Sequence, residues 1–168
     1  MLSKNKSLKY YFLFVLLFLA RNDSFGQEQL LVSVLKSNHL GKVYSFDSST
    51  KRNGYNKIFV TYLGEIKAAK EVIKVVCWSR VWGVNRHTTG IVYLYDKANR
   101  YIGNYTLGSS SDLPDKIENC NLIFTNKRKS DCDFTLITKV NFTEGMPKEI
   151  FLKCKGESGD IYSLTTIK

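Results

Sequence analysis

From Lys42 onward, apolar and polar residues alternate one for one in short runs, with Gly, Asn, Asp and Ser clustered between them. A period of two puts every second side chain on one face of an extended chain, so such runs predict half-buried antiparallel strands. They fall at Lys42–Asp47, Lys57–Leu63, Val72–Val81, Gly90–Asp96, Arg100–Leu107, Cys120–Thr125, Cys132–Phe142, Glu149–Cys154 and Ile161–Ile167. About nine short strands predict a mainly β fold, either a single antiparallel β-sandwich or a small barrel of eight to nine strands. Two stretches depart from the alternation. Leu30, Leu31, Val34 and Leu35 recur at helical spacing and predict one short N-terminal helix over Glu28–Ser37. Glu65–Lys70 (EIKAAK) fits a helical turn as well as a strand end.

The clearest local signal is the hairpin around Asp96–Arg100. A three-residue loop, Lys97 to Asn99, places Asn99 in the left-handed region, which asparagine tolerates. The register then pairs Tyr95 with Tyr101, Leu94 with Ile102, Tyr93 with Gly103, Val92 with Asn104 and Ile91 with Tyr105. One face would carry Ile91, Tyr93, Tyr95, Tyr101 and Tyr105. Two more hairpins are expected, across Asn126–Ser130 and across Lys155–Asp160.

The first 26 residues read as an export signal. Lys4, Lys6 and Lys9 precede an uncharged apolar run, Tyr10–Ala20, and Ser24 and Gly26 supply small residues ahead of a cut after Gly26. The run is shorter than the roughly 20 residues a spanning helix needs, so no stable membrane span is expected after processing. The expected organisation is a signal peptide over 1–26 and a single disulfide-bonded β domain over 27–168. The leader resembles those of Gram-negative bacteria, which implies a periplasmic or extracellular protein. Removing 26 residues from 168 leaves 142, and the leader takes three units of the net charge of +10 with it, leaving +7.

Cys77, Cys120, Cys132 and Cys154 all follow the leader. An even number of cysteines in an exported chain predicts disulfides. Cys132 sits beside a hairpin turn and Cys120 at its far end, so these two should not bond each other. The favoured pairing is Cys132–Cys154 with Cys77–Cys120. No Cys-x-x-Cys pair exists, and neither His39 nor His87 stands at ligand spacing from a cysteine, so neither a metal nor any other cofactor is expected.

Three groups of residues are candidates for binding. Trp78, Arg80 and Trp82 share parity on one strand and are followed by Arg86-His87, the densest aromatic–cation cluster in the chain. Its structural counterpart is a tryptophan in the core with Arg80 reaching to water. Tyr93, Tyr95 and Tyr101 form either a stacking platform or an aromatic layer closing the core. The loop Lys127-Arg128-Lys129, with Lys51-Arg52 and Lys153/Lys155, projects positive charge toward an acidic partner or simply toward solvent. No nucleic-acid-binding motif is present.

No catalytic residues are expected: two histidines and no GxSxG or HExxH pattern leave little catalytic inventory. Asp112 and Asp115 flank Pro114 and read as a turn. Ser158-Gly159-Asp160-Ile161-Tyr162 resembles the SGxxY signature of periplasmic C-type lysozyme inhibitors, over five residues only; the same letters describe a Ser-Gly turn entering a strand. The expected role is a non-catalytic binding module for an acidic envelope ligand or protein partner. The alternatives are an inhibitor or immunity-type protein acting through a loop, and a small secreted hydrolase.

Overall fold

The computed structural model describes residues 22–52, 54–127 and 132–166. Helix α1 (Asn22–Ser37) precedes ten strands: β1 Val43–Asp47, β2 Asn56–Lys67, β3 Val72–Trp82, β4 His87–Tyr95, β5 Tyr101–Leu107, β6 Lys116–Glu118, β7 Asn121–Thr125, β8 Ile137–Asn141, β9 Glu149–Lys155 and β10 Ser158–Thr165. Seven strands form one antiparallel sheet in the order β1-β2-β3-β4-β5-β10-β9, and three form a second, β6-β7-β8. The arrangement is two packed sheets and not a closed barrel. The EIKAAK stretch extends β2 as far as Lys67, and β6 is a short strand that the alternation does not announce.

Each face of the large sheet has its own core. On one face Leu31, Val34 and Leu35 of α1, spaced i, i+3 and i+4, close over Val60, Tyr62, Val76, Trp78 and Tyr95. On the other, Ile66, Ile73, Val75, Val92, Leu94, Tyr105, Leu107, Ile150 and Leu152 meet Leu122, Phe124, Val140 and Phe142 of the small sheet and its flank. The helix ends where Asn38 turns left-handed (φ 52°) and donates its N–H to Leu35 O at 3.2 Å.

Alternation along each strand feeds both cores, as with Val75 and Val76, and two bulges change which side chains each core receives. Tyr62 and Ile66 are four residues apart and would share a face on a regular strand. The register shift at Tyr62/Gly64, where Gly64 has a φ of 135°, turns Tyr62 toward the helix and Ile66 toward the small sheet. A second shift, at Leu94/Tyr95, does the same to Tyr101 and Tyr105. The expected pairing of Tyr95 with Tyr101 and the left-handed Asn99 (φ 63°) are both present. Beyond the bulge, however, Leu94 faces Gly103, Tyr93 faces Asn104 and Val92 faces Tyr105, one residue off the expected register. Tyr105 therefore leaves the tyrosine face. It is fully buried, meets Phe142 edge-on at 6.4 Å and donates its hydroxyl to Pro147 O.

Cys132 and Cys154 form the expected disulfide. The strand expected from Cys132 starts only at Ile137, because the Asp133 carboxylate accepts from Thr135 N and Oγ1 and holds residues 133–136 in a turn. The bond thus fastens this turn, ahead of β8 in the small sheet, to β9 at the edge of the large one. The pairing of Cys77 with Cys120 does not form: both are free thiols. Cys120 donates to Lys67 O, opposite Val72, while Cys77 lies five residues further along β3. At roughly 3.3 Å per residue that is too far for a disulfide. Burial pushes the Cys77 thiol up to about 12 from 9.0. At pH 8 its thiolate fraction should then be about a thousandfold below that of an ordinary thiol. Timed alkylation of the folded protein at that pH should label Cys120 and spare Cys77; equal labelling would contradict the buried placement.

Candidate functional site

The chain assembles a basic, aromatic end where the β1–β2 loop meets the β3–β4 hairpin. The loop closes on itself through paired backbone bonds between Thr50 and Gly54, the latter left-handed at φ 67°. The hairpin turns through Gly83 (φ 75°) to Arg86, whose N–H reaches Gly83 O at 3.2 Å. Gly83 N–H donates to Tyr55 O at 2.8 Å and joins the two. Asn56 ties the site together: its N–H donates to Ser49 Oγ, its side-chain amide to Ser48 Oγ, and its Oδ1 accepts from Arg80 Nε at 2.8 Å.

Two cation–aromatic stacks result, one on each face of the sheet. On the helix-side face, register puts Asn56, Trp82 and His87 in a row; Arg80 lies 5.7 Å from the Trp82 ring centroid and His87 lies 6.0 Å from it. Around Tyr55, Arg86 and Lys57 sit 5.0 and 5.4 Å from the ring centroid. Such stacks hold a guanidinium or ammonium in place without neutralising it. Between the two stacks the chain turns at Val84, which is 93% exposed.

The charge is one-sided. Asp47–Lys57 and Ser79–Thr89 contain Lys51, Arg52, Lys57, Arg80 and Arg86 against a single carboxylate, Asp47. Hydrogen bonds from Ser49 and Lys57 lower the Asp47 carboxyl to about 2, so it stays charged and occupied by Lys57 at 2.9 Å. Among the described residues, Lys51, Arg52, Arg80 and Arg86 have no carboxylate partner. The opposite end of the sheet differs: there Arg100 pairs with Asp96 at 2.6 Å and Lys74 lies 3.9 Å from Glu65. Guanidinium groups left with unused N–H donors suit oxyanions, which accept two parallel bonds.

The residues singled out in the sequence separate accordingly. Arg80 and Trp82 belong to this end. Trp78, on the same face four residues away, is buried beneath α1. Tyr95 is buried beside it, and burial first, then Tyr93, Glu28 and Tyr101, raises its hydroxyl pKa. Tyr93 and Tyr101 are half-buried with ring centroids 6.2 Å apart, so the three tyrosines form a packed layer under the helix and not an open platform. Lys127 is bound to Asp115 at 2.8 Å and to Leu113 O at 2.9 Å. Arg128 and Lys129 lie outside the described residues. His39 bonds Tyr44 Oη at 3.0 Å, and no cluster of three metal-ligating side chains occurs among the described residues. Ser158-Gly159 lies inside β10 and is not itself the turn: the hairpin closes at 156–157, so the loop expected over Lys155–Asp160 is shorter and the strand starts at Ser158, three residues before the expected Ile161.

Tyr55, Lys57 and Val84 are members that the sequence pattern did not pick out. Their signal was the pair Gly54-Tyr55 and Trp82-Gly83: two glycine–aromatic steps brought together once β2 and β3 are recognised as a hairpin. No family model, no curated protein and no solved structure matches this chain.

Proposed function

We propose that the protein is an exported, non-catalytic binding module that captures a polyanionic envelope ligand at the Tyr55–Arg80–Trp82–Arg86 end of its large sheet. The observation that carries this reading is four exposed cations without carboxylate partners, two of them, Arg80 and Arg86, held by aromatic stacking in a frame of hydrogen-bonded loops. Export accords with the Cys132–Cys154 disulfide and with the apolar leader. Among the described residues no helix is long and apolar enough to cross a membrane. The proposed cut after Gly26 falls within α1, which begins at Asn22 and not at the expected Glu28, and the buried α1 residues Leu31, Val34 and Leu35 all follow it.

Heparin, a soluble sulfated polyanion, provides the test. The protein should be retained on it at low salt and released as salt screens the exposed charges. An Arg80→Ala/Arg86→Ala variant should bind about tenfold more weakly, a loss near 1.4 kcal/mol, with little change in unfolding midpoint because both side chains are exposed. A Lys97→Ala/Arg100→Ala variant, which removes the same charge at the opposite end, should bind like wild type. Equal losses in the two variants would reduce the site to net charge alone.

A further inference from the structure

We propose that the anion is presented by a lipid surface, and that the protein docks end-on with Val84 entering the headgroup layer of an anionic bilayer. The proposal rests on the polyanion-binding reading above and adds to it the geometry of the end. The cations are divided between two stacks: Arg80 with Trp82 on the helix-side face, Arg86 and Lys57 around Tyr55. A pocket-sized anion reaches one stack at a time. A plane perpendicular to the strands meets both at once, along with Lys51 and Arg52 of the neighbouring loop. Two grooves of the described surface lie away from this end, one between residues 68–72 and 96–100 and one along α1 from Glu28 to Lys36.

Val84 supplies the second argument. It is the most exposed large apolar side chain described, at 93%, and it sits at the turn between the strands that carry the stacks. A soluble sugar acid or an acidic peptide offers nothing to an isolated aliphatic side chain ringed by cations. An interface does: acyl chains just below a layer of phosphates take up an aliphatic residue, tryptophan and tyrosine settle at headgroup depth, and arginine meets the phosphates. Val84 and Arg86 stand in the turn itself, outside the Trp82–His87 pair, and Tyr55, Trp82 and Arg80 follow behind them, so aliphatic, cationic and aromatic side chains share one narrow end. The loops are joined through Gly83 N–H and Tyr55 O, and a Cβ on Gly54 would stand 4.0 Å from Val84 N, so the two loops present their side chains side by side at this end.

The test compares vesicles of phosphatidylcholine alone, vesicles containing added phosphatidylglycerol, and heparin. The wild-type protein should co-sediment with the phosphatidylglycerol vesicles only, with a blue shift of tryptophan emission as Trp82 leaves water. Val84→Asn, which is uncharged and at an exposed turn, should weaken vesicle binding about tenfold and leave heparin retention unchanged. Val84→Trp should strengthen vesicle binding. If Val84→Asn binds the vesicles like wild type, or if the protein is retained on heparin and ignores the vesicles, the lipid-surface proposal is overturned while the polyanion reading stands. Heparin retention that survives Arg80→Ala/Arg86→Ala overturns the polyanion reading itself.

Discussion

Replacing Trp78 by alanine should cost about 3–5 kcal/mol of unfolding free energy, the loss typical of deleting a large buried ring. Trp82→Ala should cost under about 1 kcal/mol. The two residues lie on the same strand and the same face, so the contrast isolates what covers them. Trp78 is 6% exposed and packed with Val60, Val76 and Tyr95 under Leu31, Val34 and Leu35 of α1. Trp82 lies past the helix, with Arg80 over one ring face and His87 at its side. The Trp78 indole N–H is buried without an acceptor among the described residues. Trp78→Phe should therefore recover most of the loss, since phenylalanine fills much of the space and removes an unpaired donor. Urea denaturation followed by circular dichroism measures all three. Heparin retention should show the opposite ranking, weakened in Trp82→Ala and unchanged in Trp78→Phe. Similar stability losses for Trp78→Ala and Trp82→Ala would contradict the helix-covered core.

What the sequence revealed follows from the range over which each signal acts. Strand positions are local, and the alternation located nine of the ten strands, because each needs only its own buried face. Register is not local. The Asp96–Arg100 turn set the first pair of its hairpin, but the bulge at Leu94/Tyr95 displaced every later pair and sent Tyr105 into the opposite core. Nothing in Tyr101-Ile102-Gly103 distinguishes a bulge from a regular strand beforehand. The preference comes from Phe142 and Pro147, about forty residues away, which reward Tyr105 for turning inward.

The candidate site was half legible for the same reason. Arg80 and Trp82 share a strand, and their proximity follows from its pleat. Tyr55 reaches them only through the long β2–β3 pairing, in which Asn56 faces Trp82. The ambiguous EIKAAK segment hid that pairing by reading as a helical turn. Trp78 and Trp82 looked like one cluster because parity cannot show where a helix stops. The apolar stripe of α1 announces that some face is covered, but which strands lie beneath it is decided by tertiary packing.

The disulfide separates stability from binding most sharply. Replacing both Cys132 and Cys154 by serine should cost about 3 kcal/mol, the loop-closure entropy for residues 22 apart. That corresponds to about 1–3 M in the urea midpoint at ordinary denaturant sensitivities. Reductant should bring the wild-type protein down to the same midpoint and leave the variant where it is. The loss is expected to be large because the bond fastens β9, the edge of the seven-stranded sheet, to the turn ahead of β8 in the small sheet. Beside it Asp133 N–H donates to Cys154 O at 2.7 Å, Asn126 Nδ2 to the same oxygen at 3.3 Å and Lys153 N–H to Thr138 Oγ1 at 3.3 Å, while Ile150 and Leu152 of β9 share the core with the small sheet. The basic end stands on β2 and β3, with β4, β5 and β10 between them and β9. At a temperature where the serine variant remains folded, heparin retention should therefore match wild type. A variant that keeps its urea midpoint would show that the β8–β9 contacts suffice without the bond; one that stays folded yet loses heparin binding would place the anion site near the disulfide instead.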